Sequence, residues 1–143
     1  MSMESDESTS LRPATPADYA AYVRLFPELR VDAAMMAPRT FEQEWMPTTI
    51  VAIRGSATVG IAYYQVLKAL DGATAYLRVI ITAPEARRTG VGRLLMNAVV
   101  ERCRASGCVD WCLNVFPHNA AAVALYESYG MKRVHVSKAV KMP

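Results

Sequence analysis

The residues with the clearest capacity for chemistry read Arg87-Arg88-Thr89-Gly90-Val91-Gly92. They stand between an extended apolar run, Tyr76–Thr82, and an amphipathic stretch, Val91–Cys103. That order predicts a strand, a basic glycine-bearing loop and a helix start. The first turn of a helix carries backbone N–H groups with no partner inside the helix. The aligned peptide dipoles add partial positive charge at the same end. Two glycines let a ligand approach the backbone closely, and two arginines bring fork-shaped cationic donors. The sum is a site suited to a phosphate or pyrophosphate. No Gly-Lys-Ser/Thr follows as in a P-loop, and the third glycine of the dinucleotide fingerprint is missing.

A second constellation reads Asn119-x-x-Ala122-x-x-Leu125-Tyr126-x-x-x-Gly130-Met131. On a helix, Asn119, Ala122, Tyr126 and Tyr129 share roughly one face. Small Ala122 lets a ligand lie close. Tyr126 presents a hydroxyl with an ordinary pKa of about 10, able to protonate a basic leaving group or to hydrogen-bond a thiolate. The same residues have structural duties, because Asn119 suits a helix N-cap and Gly130 a helix stop. Histidine is a common proton carrier, but the position of His118 favours the cap. Cys103, Cys108 and Cys112 lack a fourth ligand at zinc spacing and are odd in number. They read as buried or half-buried free thiols, with no metal.

These groups need elements to position them. Leu11–Ala14 reads as a short strand, and Thr15-Pro16 as the entry to a helix over Ala17–Phe26. A helical turn is expected at Asp32–Met36 and a short helix at Phe41–Trp45, before Pro47. Thr48–Arg54 and Thr58–Leu67 form a hairpin about Gly55-Ser56-Ala57. Ala73–Thr82 follows the turn at Asp71-Gly72, with Leu77, Val79 and Ile81 on one face and Tyr76, Arg78, Ile80 and Thr82 on the other. Val91–Cys103 is helical, Val109–Phe116 a strand, Ala120–Tyr129 a helix and Met131–Met142 a last extended stretch. The strand–helix–strand unit from Ala73 to Phe116 implies a parallel pair with a right-handed crossover. The fold class is α/β: a mixed, mostly antiparallel central sheet with helices on both faces.

A chain of 143 residues suits one domain. Residues 1–10 are polar and acidic and read as a disordered tail, leaving 11–143 as the domain. Residues 1–10 lack the apolar core of a signal peptide and no apolar run has the length of a membrane span, so a cytoplasmic location is expected and no membrane partner. The net charge of +3 lacks the strong basic face that nucleic acid demands. Acidic residues concentrate before position 45, whereas Arg87, Arg88, Arg93, Arg102 and Arg104 cluster later, as an anionic ligand would require.

Together the two constellations resemble the GNAT superfamily of N-acetyltransferases. The match runs from Tyr76 to Met131, and the element order extends it over nearly the whole chain. Family members carry V-x-P at the end of a strand, followed by R/Q-x-x-G-x-G/A. Pro84, Arg87, Gly90 and Gly92 fall in register with that pattern, while Thr82 replaces an apolar residue. The later family motif N-x-x-A-x-x-L/F-Y-x-x-x-G-F matches at Asn119, Ala122, Leu125, Tyr126 and Gly130, with Met131 for Phe.

The resemblance implies acetyl-CoA as co-substrate and direct attack by an acceptor amine on its thioester. Backbone groups of Ile80, Ile81 and Thr82 would pair with pantetheine, and a backbone N–H near Ile80 would polarise the carbonyl. Arg87, Arg88, Thr89, Gly90, Val91, Gly92 and Arg93 would surround the pyrophosphate. Asn119 and Ala122 would lie against pantetheine. Tyr126 would serve the departing thiolate as the catalytic group. Strand Ala73–Thr82 holds no carboxylate, so no general base is assigned and a water relay is expected.

The acceptor region implied by the family holds Glu28, Asp32, Glu42 and Glu44 with Tyr22, Phe26, Met35, Met36 and Trp45. That mixture would suit a cationic small amine or a protein amine. Two alternatives stay open: a CoA-binding module with little catalysis, and a transferase using another acyl-CoA. Only Lys132–Pro143 remains for the closing hairpin of the family, so the last strand is short or pairs with a second copy in a homodimer.

Overall fold

Five strands and four α-helices are found among the described residues, 8–30, 34–115 and 118–132 of a computed structural model. The chain divides into two compact units, Met1–Leu113 and Asn114–Pro143.

The first unit is built on one sheet in the order β1-β2-β3-β4-β5. Its strands are β1 (Thr9–Pro13), β2 (Thr49–Arg54), β3 (Ala57–Ala69), β4 (Gly72–Thr82) and β5 (Cys108–Leu113). β1 through β4 pair antiparallel, and β4 pairs parallel with β5. The mixed, mostly antiparallel sheet is thus the expected one. The strand–helix–strand crossover is made by α3 (Val91–Ala105).

α3 lies on the sheet because its buried stripe, Val91, Leu95, Met96, Val99 and Cys103, recurs at helical spacing. It comes closest at Gly60 of β3, where an added Cβ would stand 2.8 Å from Val91 Cγ1 and 2.9 Å from Leu95 Cδ1. β3 alternates, so Tyr63 faces the other side. There its ring stacks on Trp45, centroids 4.0 Å apart and planes 13° apart. Trp45 in turn meets Tyr22 of α1 (Tyr19–Leu25) edge-on, and Tyr22 stacks with Phe41. Helices therefore cover both faces. Phe41–Trp45 is a π-helical turn that continues α2 (Pro38–Thr40).

The expected alternation of β4 does not hold along its whole length. Leu77 pairs with Tyr64 and Val79 with Tyr63, so Arg78 is an extra residue in the ladder. A bulge of this kind reverses the faces beyond it. Leu77 therefore shares the α3 face with Tyr64, while Val79 and Ile81 share the opposite face with Tyr63 and Ile61. The sequence shows no break because Leu77, Val79 and Ile81 are all apolar.

Other boundaries move slightly. β1 begins at Thr9, before the expected Leu11, and residues 1–7 of the expected tail lie outside the described residues. α1 is flanked by 3-10 turns at Pro16–Asp18 and Phe26–Leu29. The turn expected at Asp32–Met36 lies partly outside the described residues, and Ala34–Met36 is irregular. β5 ends at Leu113 rather than Phe116, which is itself undescribed. Cys103 is buried and Cys108 half-buried, but Cys112 is exposed, contrary to expectation.

The described part of the second unit is α4 (Ala120–Glu127) with its flanks. Asn119 caps it: its side-chain oxygen accepts the Ala122 N–H at 3.3 Å. Gly130 stops it with φ +82°, a left-handed value open to glycine. The extended stretch expected over Met131–Met142, with its strand pairing and homodimer, falls mostly outside the described residues.

Candidate active site

β4 and β5 separate where the bulge falls. Their parallel pairing ends at Leu77–Leu113, yet β4 runs on to Thr82. Alternate residues of a strand turn both N–H and C=O to the same side. Beyond Leu77 the β5 side of β4 therefore offers backbone groups to an extended, amide-bearing ligand, with no strand partner among the described residues. Ile80, Ile81 and Thr82 occupy this stretch, held from the other side by Ala62, Ile61 and Gly60 of β3.

The strand leads directly into the basic loop. The Ala83 N–H donates to the Val59 carbonyl at 2.8 Å, and Pro84–Ala86 form a 3-10 turn. Arg88 has φ +64°, uncommon for a residue with a Cβ and costing roughly 1 kcal/mol. Gly90 has φ +89° and caps α3. The first closed ring of the helix is the Leu94 N–H to the Gly90 carbonyl, 3.0 Å. The N–H groups of Val91 and Gly92 precede that ring and point out of the helix. Nothing lies within 4 Å of a Cβ built on Gly90, so a bulky anion has room there. Arg87, Arg88, Thr89, Gly90 and Arg93 are all exposed. Charge, open N–H groups and space coincide, and these residues fit a diphosphate.

Two partners of this loop were not evident in the sequence. Arg54, at the end of β2, donates to Thr89 Oγ1 at 3.1 Å and to Thr9 Oγ1 at 2.9 Å. Glu28 forms an ion pair with Arg87, Oε1 to Nη2 2.6 Å. Arg87 is thus engaged by a carboxylate from the turn after α1, not simply presented to a ligand. The partners lie 35 and 59 residues away along the chain, and no local pattern marks them.

The second unit carries Asn119, Ala122 and Tyr126. Asn119 is exposed, and its cap leaves the side-chain NH2 able to donate. Tyr126 is buried, and burial pushes its phenol up to about 12. Among the described residues no group of His, Cys, Asp and Glu is arranged to hold a metal ion, and no helix is long and apolar enough to cross a membrane.

The model of the acetyltransferase (GNAT) family matches residues 16–131, most of the chain. The chain belongs to the GNAT acetyltransferase family. A ribosomal protein bS18-alanine N-acetyltransferase of Salmonella typhimurium is 36% identical over 69 residues, 48% of this chain and 45% of that protein. A thialysine N-epsilon-acetyltransferase of Sus scrofa is 34% identical over 80 residues, 55% of this chain and 47% of that protein. The matches thus span about half the length of these curated relatives. Among solved structures, an acetyltransferase of Agrobacterium tumefaciens superposes with TM-score 0.78 at 21% identity, over 93% of this chain and 99% of that one. An aminoglycoside N-acetyltransferase in complex with CoA gives TM-score 0.79 at 16% identity, over 94% and 95%. These likenesses show the GNAT fold: one α/β domain with a mixed, mostly antiparallel sheet.

Proposed function

We propose that this GNAT protein transfers the acetyl group of acetyl-CoA to a primary amine by direct attack. The observation that carries the reading is the coincidence of the β4–β5 opening with the Arg87–Arg93 loop at the end of the same strand. An extended ligand with amides at one end and a diphosphate at the other matches both. The CoA complex of the structural neighbour and the amine-directed names of the curated relatives agree with it.

In this reading Ile80, Ile81 and Thr82 hold pantetheine by backbone pairing. A backbone N–H at the opening polarises the thioester carbonyl, a contact that strengthens as the oxygen gains charge. Arg87, Arg88, Arg93 and the first turn of α3 bind the diphosphate, and Arg54 stiffens the loop through Thr89. Holding amine and thioester together supplies much of the rate. The C–S bond breaks as the C–N bond forms, and the thiolate leaves.

Tyr126 donates a hydrogen bond to that thiolate. A phenol near 12 and a thiol near 8.5 differ by about three and a half decades, so full proton transfer is uphill by roughly 5 kcal/mol. Stabilisation without transfer is the role its burial supports. The ammonium proton leaves through water, since β4 brings no carboxylate to the opening.

Thiol release from acetyl-CoA, measured against a panel of primary amines with mass spectrometry of the product, tests the proposal. Amine-dependent release with acetylated product supports it. Tight CoA binding without release from any amine would leave a binding module instead, and faster release from propionyl- or succinyl-CoA would reassign the donor.

A further inference from the structure

Arg78 is the residue that the bulge adds to β4, and it stands directly after the last β4–β5 pair, Leu77–Leu113. It is exposed, yet it is held. Its guanidinium lies over the Tyr76 ring, 4.9 Å from the centroid, and Nη1 contacts Gln65 Oε1 at 3.4 Å. Stacking on one face and a tether at one nitrogen leave the rest of the planar fork directed outward. Among the described residues, no carboxylate pairs with Arg78.

The surroundings are aromatic. Tyr76 pairs with Gln65, and Tyr63 pairs with Val79 on the next rung beyond the bulge. Tyr63 is backed by the stacked Trp45. Burial raises the Tyr63 phenol above its ordinary value, while a hydrogen bond from Gln65 and the charge of Arg78 oppose the rise, and Glu44 adds to it. Glu44 and Arg78 thus act on this phenol with opposite sign. Of the carboxylates expected to receive a cationic amine, Glu28 is already taken by Arg87.

We propose that Arg78 makes this site selective for amines that also carry a carboxylate, which the guanidinium fork receives. The inference rests on the N-acetyltransferase reading, because it places the acceptor at the opening of β4. An ammonium alone meets a fixed positive charge there and is repelled. An ammonium with a carboxylate a few bonds away presents the complementary charge, and the fork accepts it in bidentate fashion. The carboxylate can belong to a free amino acid or to an acidic side chain near a peptide N-terminus.

Matched acceptor pairs separate the sources and test the idea with the full chain and acetyl-CoA. One arm compares α-amino acids with their amides. The other compares peptides with Glu or Gln at the second position. The expected result is a kcat/KM preference of roughly 10–100-fold for the carboxylate member of at least one pair, carried mainly by KM. R78Q is expected to bring that ratio near one, and R78K to restore only part of it, since the ammonium keeps charge and loses the fork. Acetyl-CoA affinity by calorimetry reports that each variant is folded. Equal use of both members of every pair, or a preference that survives R78Q, overturns the proposal and leaves acetyl transfer standing. Should no amine be acetylated, the transferase reading fails instead. Calorimetric binding of glutamate against glutamine amide to the CoA-loaded protein then decides on Arg78, and binding that R78Q does not weaken overturns its role.

Discussion

Gly60→Ala adds one methyl group beneath the first turn of α3. The new Cβ would meet Val91 Cγ1 at 2.8 Å, Leu95 Cδ1 at 2.9 Å and the Ile81 carbonyl at 3.2 Å. A retreat of roughly 0.6 Å is needed to restore ordinary carbon contacts of about 3.5 Å. Val91 and Leu95 are almost fully buried, and a β-branched side chain on a helix has one strongly preferred rotamer. The helix start must therefore lift, since the Ile81 carbonyl belongs to the β4 ladder. Overpacking of this kind costs about 1–3 kcal/mol, offset by about 0.5 kcal/mol from a less flexible unfolded chain. The expected net loss is about 1–2 kcal/mol, a fall in Tm of roughly 3–8 °C.

Because Val91 opens the helix, its N–H moves with it. Acetyl-CoA affinity should drop roughly tenfold, and Val91→Ala in the G60A background should recover part of both effects, with a coupling of about 1 kcal/mol. Thermal melts and calorimetric titration of the wild type, G60A, V91A and the double variant measure this. Lost stability with unchanged CoA affinity would show that the start of α3 does not touch the ligand, and the placement of the diphosphate would be wrong.

Three further perturbations follow from the geometry. Glu28→Gln releases Arg87 from a partly exposed ion pair, worth about 0.2–1 kcal/mol. Acetyl-CoA should bind up to about fivefold tighter, and weaker binding would mean that Glu28 orients Arg87 instead. Tyr126→Phe should lower turnover roughly 10–100-fold, the scale of one hydrogen bond to a charged group, with acetyl-CoA affinity within about twofold. Since the phenol is pushed up to about 12, the wild-type pH–rate profile should show no Tyr126 limb below about pH 11. Asp18→Asn removes a buried carboxylate bonded to Arg12 at 2.7 and 3.0 Å and to the Thr15 N–H at 2.7 Å. Burial alone raises the Asp18 pKa, but Arg12 and Thr15 outweigh it and leave it lowered. Its stabilisation is therefore complete above the unfolded carboxyl value of about 4 and is lost as pH falls through the lower folded value. Urea titrations should show D18N less stable by about 1–3 kcal/mol at pH 7, with the gap closing towards pH 2.

The parts legible in the sequence are those set by neighbours along the chain. Gly90 and Asn119 announced their helix starts because a left-handed cap and an Asx cap are local requirements. The hairpins showed in Gly55 and Gly72, both at positive φ. The bulge at Arg78 left no trace, because apolar residues flank it and its cause lies in the pairing with β3. Glu28 and Arg54 reach the loop through tertiary folding alone. The cationic-amine expectation came from the carboxylates in the acceptor region that the resemblance implies, and folding gives one of them, Glu28, to Arg87. Cys112 looked like its two neighbours in composition, yet β5 turns it to solvent.

Calorimetric titration with acetyl-CoA and with S-acetylpantetheine, which lacks the diphosphate and adenosine, probes the loop most directly. One acetyl-CoA per chain should bind at least about 100-fold more tightly than acetylpantetheine, as expected for several charge-assisted contacts. Arg87→Ala with Arg88→Ala should shrink that gap roughly tenfold. Equal affinities, or a gap that the double variant leaves intact, would contradict the assignment of Arg87–Arg93 as the diphosphate site.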